Sequence, residues 1–321
     1  MSNLRNLTGD RPVAIVGAGL VGAGWAIVFA RAGLEVRAFD ADAEVTRRSL
    51  PMIEEQLRAL AGHGLIDEDR ATILARITPV ATLAEAIDGA AYVQESVLER
   101  VDVKRKLMLE LDAIAPEDLV IGSSTSGIPG SAFALDLAIS PRVVIAHPVN
   151  PPYLVPIVEV VPSPQTSPDT VAFVDELMQA VGQSVVHVRK EVEGFVLNRL
   201  QAVLLREAWA LVEDGVATCD DIDKTMRDGL GWRWSFMGPF ETIDLNAPGG
   251  VADYAVRLGP LYRRIADSRR HDSDWDAQLI AKVEAQRREF LRKEDLGSRR
   301  AWRDERLMEF AAGLRSKRTG S

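Results

Sequence analysis

Two side chains twelve positions apart, His147 and Glu159, have the types and settings of a base and the group that orients it. His147 closes the apolar run Val143-Val144-Ile145-Ala146, and Glu159 is the single charge inside Ile157-Val158-Glu159-Val160-Val161. Both runs read as buried strands. A carboxylate inside such a strand needs a partner, and an imidazole held by a carboxylate on one ring nitrogen is more basic at the other. Between the two stand Pro148, Pro151, Pro152 and Pro156. Proline excludes helix and, lacking an amide donor, a central strand. The connection is therefore a stiff loop joining two strand ends that can lie side by side.

A second set of residues is suited to phosphate. Pro12-Val13-Ala14-Ile15-Val16 is a short β-branched run that stops at Gly17-Ala18-Gly19-Leu20-Val21-Gly22, and an apolar helix follows as far as Gly33. The next run, residues 34–39, ends in Asp40. Strand, glycine turn, helix and an acid at the next strand end make up the dinucleotide fingerprint. Gly17 permits the turn, Gly19 lets a pyrophosphate approach the backbone and Gly22 lets helix and strand pack closely. Leu20 and Val21 open the helix whose free amides face the phosphates. Asp40 is expected to accept from both hydroxyls of the adenine ribose. Its charge repels a 2′-phosphate and Ala41 offers no cation for one, so NAD is expected over NADP.

These residues need a sheet to hold them. Residues 77–80, 91–95, 119–122 and 184–188 read as further strands, alternating with helices over 42–65, 84–87 and 171–181. Such alternation predicts a doubly wound α/β sheet, which binds its ligand at the carboxyl ends of the strands. Glu99 and Lys104, just beyond one strand, fall on that side as cofactor contacts. So does Ser126 in Ser123-Ser124-Thr125-Ser126-Gly127, whose other hydroxyls are expected to cap the next helix. After Lys190 the strands cease. Residues 195–212 read as a strongly apolar helix with Asn198 near its start. Short helices follow, with breaks at Gly229-Leu230-Gly231, Met237-Gly238-Pro239-Phe240 and Ala247-Pro248-Gly249-Gly250, and a mixed-charge surface helix is expected over 282–314. The predicted organisation is a Rossmann-type domain over residues 1–190 and an all-helical domain over 191–321 that closes a substrate cleft, with Asn198 reaching into it.

At 321 residues and 47% hydrophobic content the chain suits two domains with a large core. A net charge of -9, with basic residues mixed among acidic ones, argues against nucleic acid and anionic membranes as partners. The single cysteine, Cys219, leaves no disulfide framework or clustered-thiol metal site, and no metal is expected. The opening residues lack a signal-type apolar core and no stretch approaches a membrane span, so a soluble cytoplasmic protein is expected.

The motifs resemble those of the 3-hydroxyacyl-CoA dehydrogenase superfamily. Ser126 lies in Ser-Thr-Ser, His147 in His-Pro-Val-Asn-Pro, Glu159 in Val-Glu-Val-Val and Asn198 in Gly-Phe-Val-Leu-Asn-Arg, in the family's order. The resemblance implies that these four surround the C3 oxygen of a 3-hydroxy substrate, with His147 as base. It also implies that Gly17, Gly19, Gly22 and Asp40 hold NAD, and that Glu99 and Lys104 approach its nicotinamide half. His147-Pro-Val-Asn-Pro-Pro-Tyr, Glu191-Val-Glu-Gly-Phe-Val-Leu-Asn-Arg-Leu-Gln and Ala301-Trp-Arg-Asp-Glu-Arg-Leu-Met are similar to the lambda-crystallin branch, related to L-gulonate 3-dehydrogenase. That branch implies a homodimer, joined through the helical domain, oxidising a free 3-hydroxy acid such as L-gulonate. L-3-hydroxyacyl-CoA oxidation and a bulk structural role, as in lambda-crystallin, are the alternatives. Against the acyl-CoA enzymes, this chain inserts Trp232-Arg233-Trp234-Ser235, which makes Arg233 the candidate cation for a substrate carboxylate. A CoA adenosine would favour lysines on the helix 42–65, which instead carries Glu54 and Glu55 with Arg47, Arg48 and Arg58.

Overall fold

The computed structural model describes residues 2–269 and 275–319. Its eight strands are β1 Val13–Val16, β2 Val36–Phe39, β3 Ile77–Pro79, β4 Tyr92–Glu95, β5 Val120–Ser123, β6 Val143–Pro148, β7 Ile157–Pro162 and β8 Ser184–His187. They form one sheet in the order β3-β2-β1-β4-β5-β6-β7-β8. Strands β1 to β6 pair in parallel, β7 runs antiparallel to β6, and β8 is parallel to β7. The reversal follows from the loop 149–156, which is shorter than the roughly dozen residues that a parallel return needs.

Strand β1 is buried along its whole length, so both faces of the sheet must be covered. Alternation sends Val13 and Ile15 into one core and Ala14 and Val16 into the other. The first core takes Trp25, Ile27 and Phe29 from the helix Leu20–Arg31, Ile53 and Leu57 from Ala43–Gly62, and Leu177 from Pro168–Ala180. The second takes Leu107, Met108 and Leu111 from Val101–Ile114, with Phe133. This positions the glycine turn, Asp40, Glu99 and His147 at the carboxyl ends of parallel strands, where such sheets bind ligands.

The chain forms two compact units, one of residues up to Arg199 together with those from Arg300 onward, the other Leu200–Arg299. The second is helical throughout its described residues. Several helices depart from expectation. The helix expected from Phe195 begins at Leu197, because Gly194 and Phe195 take left-handed backbone angles, φ 75 and 50. Gly229-Leu230-Gly231 does not break the chain's helix: Cys219–Lys224 runs through a π-helical turn, Thr225–Leu230, into Gly231–Trp234. The wider turn absorbs the residues, with the Gly231 amide donating to the Met226 carbonyl. The surface helix expected over 282–314 is two helices, Ala277–Phe290 and Leu296–Thr319, parted where Leu291 is extended. The second is no mere surface element, since Met308 is 3% exposed within the first unit's core. Short helices at Ser2–Thr8 and Arg70–Ala75 had no recognised periodic signal. Among the described residues no helix is long and apolar enough to cross a membrane.

Candidate active site

His147 and Glu159 face each other across β6 and β7 in direct register. Opposed residues of an antiparallel pair share a face with Cβ atoms about 4.5 to 5.5 Å apart, close enough for their side chains to meet. His147 Nδ1 lies 2.8 Å from Glu159 Oε2. Both residues are buried. The other oxygen, Oε1, accepts from the backbone amides of Val196 and Leu197, each at 2.9 Å. These amides stand at the start of the helix Leu197–Glu213, where N–H groups lack intrahelical partners. The left-handed pair Gly194 and Phe195 turns them toward the carboxylate. A non-glycine residue in that conformation costs roughly 1–3 kcal/mol. Phe195 offsets it by burying its ring with Ile145, Val161 and Val188, 5.7 Å from the imidazole.

Burial pushes the Glu159 carboxyl up, but the hydrogen bonds from His147 and from the Leu197 and Val196 amides, with the attraction to His147, outweigh it. The net result is below the usual carboxylate value. Glu159 therefore stays ionised and accepts from Nδ1, which leaves Nε2 as the accepting nitrogen of the ring.

Ser126 and Asn198 come together, though not as two parallel donors. The Asn198 side-chain amide donates to the Ser126 carbonyl at 2.5 Å. The Ser126 hydroxyl donates to Glu99 Oε1 at 3.1 Å, and the same oxygen accepts from the Ser126 amide and the Thr125 hydroxyl at 2.7 Å and from the Gly127 amide at 3.3 Å. Burial again pushes the Glu99 carboxyl up, while Thr125, Ser126 and Lys104 together bring it below its ordinary value.

The remaining hydroxyls do not cap the next helix. That helix, Ser131–Ala134, has Gly130 at its cap and no side-chain cap bond. Ser123 donates to Glu95, and Ser124 accepts from Gln94 at 2.7 Å and from the Trp25 indole at 3.2 Å. Glu95 at the end of β4, which is paired with Lys104, and Glu99 just beyond it draw the hydroxyls of Ser123 and Thr125 because charge-assisted bonds are the stronger ones. Glu95 was hidden from sequence reasoning by its position as the last residue of an ordinary strand. It explains Lys104, which is buried rather than open to a ligand. The ammonium lies 2.8 and 3.0 Å from the Glu95 oxygens and 3.7 Å from Glu99.

The glycine turn separates packing from ligand space. Gly17 has φ 96, and a Cβ added there would lie 2.5 Å from the Ser96 carbonyl group. At Gly22 it would lie 1.8 Å from the Gly17 carbonyl oxygen, whereas at Gly19 nothing stands within 4 Å. The protein's own packing demands the first two glycines and not the third. Open space beside Gly19 fits the close approach of a dinucleotide pyrophosphate. Leu20, at the first position of the helix, is exposed, and Val21 is partly buried. Asp40 is tied to this turn, accepting from the Ala18 amide at 2.8 Å and the Asp42 amide at 3.0 Å. Arg233 lies in the second unit, exposed on Gly231–Trp234 and without an ion pair among the described residues.

Comparison with known proteins matches the chain in two stretches. The NAD-binding domain of 3-hydroxyacyl-CoA dehydrogenase matches residues 12–192, and the C-terminal domain of that family matches residues 194–291. Lambda-crystallin of Oryctolagus cuniculus is 40% identical over 306 residues, covering 93% of this chain and 95% of that protein. L-carnitine dehydrogenase of Streptomyces coelicolor is 41% identical over 251 residues, 78% of each chain. Among solved structures, an NAD-dependent 5-formyl-3-hydroxy-2-methylpyridine 4-carboxylic acid 5-dehydrogenase superposes with a TM-score of 0.79 at 29% identity, covering 95% of this chain and 97% of that one.

Proposed function

The chain belongs to the 3-hydroxyacyl-CoA dehydrogenase family and is an NAD-dependent dehydrogenase acting on CH–OH, and we propose that it oxidises a free 3-hydroxy acid at C3, L-gulonate to 3-dehydro-L-gulonate foremost. The observation that carries this proposal is the likeness to lambda-crystallin over 93% of the chain, more than the family's two domains span. The similarity to L-carnitine dehydrogenase, named for another free 3-hydroxy acid, favours the same substrate class.

A bound NAD would supply the acceptor for the hydride that leaves C3. His147 takes the hydroxyl proton on Nε2, and the ionised Glu159 keeps the resulting imidazolium paired. Ser126, by turning its hydroxyl hydrogen from Glu99 to the substrate, and Asn198, through the amide hydrogen not given to Ser126, hold the C3 oxygen as it becomes a carbonyl. Gly17, Gly19, Leu20, Val21, Gly22 and Asp40 would hold the adenine half of the cofactor, and Glu99, fixed by Lys104, would contact its nicotinamide half. Arg233 is the candidate for the substrate carboxylate. Its removal should lower kcat/KM for the acid by about one to two powers of ten and spare a thioester substrate.

The assembly we favour is a homodimer through the helical unit. The helix Gly250–Ser268 has no buried residue and exposes Val251, Val256, Leu261, Tyr262 and Ile265, the kind of apolar patch a partner covers. The one cysteine, Cys219, is free, in keeping with a reducing cytosol.

A screen of NAD reduction over L-gulonate, L-3-hydroxybutyrate, L-carnitine and 3-hydroxybutyryl-CoA tests the proposal. Turnover is expected with a free acid. Turnover confined to the thioester would assign the protein to the acyl-CoA chemistry of its family, and none with any substrate would favour a structural role.

A further inference from the structure

Past residue 291, where the match to the family's C-terminal domain ends, the chain adds the helix Leu296–Thr319. Its motif, Ala301 to Met308, has no part in the site described above. The helix is seated on the first unit. Met308 enters the core with Leu307 packed against it, and Arg315 donates to the Gly64 carbonyl at 3.1 Å and pairs with Asp67.

The start of this helix lines one part of a cavity of about 210 Å3. Its lining includes a chain neighbour of each place that the chemistry uses: Leu20, which follows Gly19 of the phosphate turn, and Asn150, three residues beyond His147. Its inner wall is fixed. A Cβ on Gly24 would lie 2.7 Å from Pro152, so loop and glycine-turn helix already touch. The Tyr153 hydroxyl donates to Gln56 at 2.8 Å, and the Tyr153 carbonyl accepts from Arg31 at 2.9 Å.

The helix supplies charge. Arg303 is engaged by Asp304 through its Nε and Nη2 at 2.8 and 2.6 Å. Arg300, an exposed residue that lines the same cavity, has no ion pair or hydrogen bond from its side chain among the described residues. The helix therefore brings one cation without a protein partner. The cavity is smaller than the ~300–1,000 Å3 pockets that take a whole ligand, so it suits one end of a reactant.

We propose that this cavity is an anion subsite in which Arg300 and the Asn150 amide seat the charged oxygens of a bound reactant, and that the added helix Leu296–Thr319 creates it. Two reactants carry such a group: NAD, through its pyrophosphate, from the Leu20 side, and a hydroxy acid, through its carboxylate, from the Asn150 side. The second source rests on the proposed free-acid substrate, whereas the first rests only on NAD. A monocarboxylic hydroxy acid has one carboxylate, so on that source Arg300 takes the place given above to Arg233, whereas the pyrophosphate source leaves Arg233 its role.

The test compares the parent enzyme with Arg300→Met, Arg300→Lys and, as a control for loss of a surface charge, Arg306→Met, whose guanidinium pairs with Glu309 at 2.7 Å. Calorimetry gives the NAD affinity, steady-state kinetics the KM of the best free acid, and a melting curve confirms the fold. In Arg300→Met one of the two constants should weaken about tenfold or more, with partial recovery in Arg300→Lys and no change in Arg306→Met. A weaker NAD affinity identifies the pyrophosphate, and a raised KM at unchanged kcat and NAD affinity identifies the carboxylate. Both constants within twofold of the parent would overturn the subsite. If the parent oxidises no free acid, the free-acid proposal fails by itself, the carboxylate source is excluded, and unchanged NAD affinity in Arg300→Met alone overturns the subsite.

Discussion

The carboxyl edge of the sheet is built by two different means. In the half formed by β1 and β2, shape does the fixing. A Cβ on Gly22 would sit 1.8 Å from a carbonyl oxygen and one on Gly17 2.5 Å from backbone, and Asp40 adds one tie to the turn. In the half formed by β4 to β7, charge does the fixing. Glu159 holds a histidine and two amides, Glu99 gathers a loop, and Glu95 holds Lys104. A site fixed by shape tolerates no added atom at its contact points, Gly17 and Gly22, and those contacts are indifferent to pH. One fixed by charge tolerates an isosteric exchange in shape but responds to every lost or gained proton. Binding a constant cofactor suits the first, and moving a proton suits the second.

The largest effect that separates the halves is expected from Lys104→Met, which leaves Glu95 buried without its cation. Breaking a buried pair from one side costs roughly 3–5 kcal/mol, measurable by urea denaturation, and Glu95→Gln added to it should recover part of the loss. An equal stability of single variant and parent would show that the ion pair does not hold this half together. Next comes Gly22→Ala, an overpacking expected to cost about 1–3 kcal/mol and to weaken NAD. Gly19→Ala should keep the parent's melting temperature and lose NAD affinity alone, and a matching loss of stability would mean that Gly19 serves packing instead.

The smallest effect is the dependence of stability on pH. Glu159 and Glu99 both titrate below the ordinary glutamate value when folded. Each therefore contributes stability that is fully present above about pH 4.3, the ordinary value, and that is lost as pH falls through the lowered folded value. The melting temperature of Glu159→Gln should approach that of the parent as the pH is lowered from 6 to 3. The destabilisation in Gly22→Ala should stay constant over the same range. A Glu159→Gln penalty that does not shrink on acidification would contradict an ionised, hydrogen-bonded Glu159.

What could be read from the sequence follows the same division. The glycine turn and the strands were legible because spacing and apolar runs encode them locally. His147 and Glu159 were legible as a pair because a charge in a buried strand demands a partner and the proline loop between them is short. The partners of the second Glu159 oxygen were not legible, since they are backbone amides exposed by a left-handed Phe195, which no side-chain pattern announces. Lys104 was assigned to the cofactor because its position on the sheet's edge is visible in the sequence, while the burial that turns it to Glu95 is tertiary. The hydroxyls of Ser123 and Thr125 were expected at a helix cap because the competing carboxylates lie 26 and 28 residues away in the chain. The C-terminal helix read as surface from its charge, and only packing reveals Met308 as its anchor.

The central claim is that His147, held by Glu159, is the base, and the most direct measurement is kcat of His147→Gln on the best substrate, alongside its NAD affinity. The expected result is a fall of about 10²-fold to 10⁴-fold in kcat with NAD affinity unchanged. The His147→Gln, Glu159→Gln double variant should be little worse than His147→Gln alone, because the two residues act as one unit. A fall of less than about fivefold, or a loss of NAD affinity as large as the loss of rate, would contradict it.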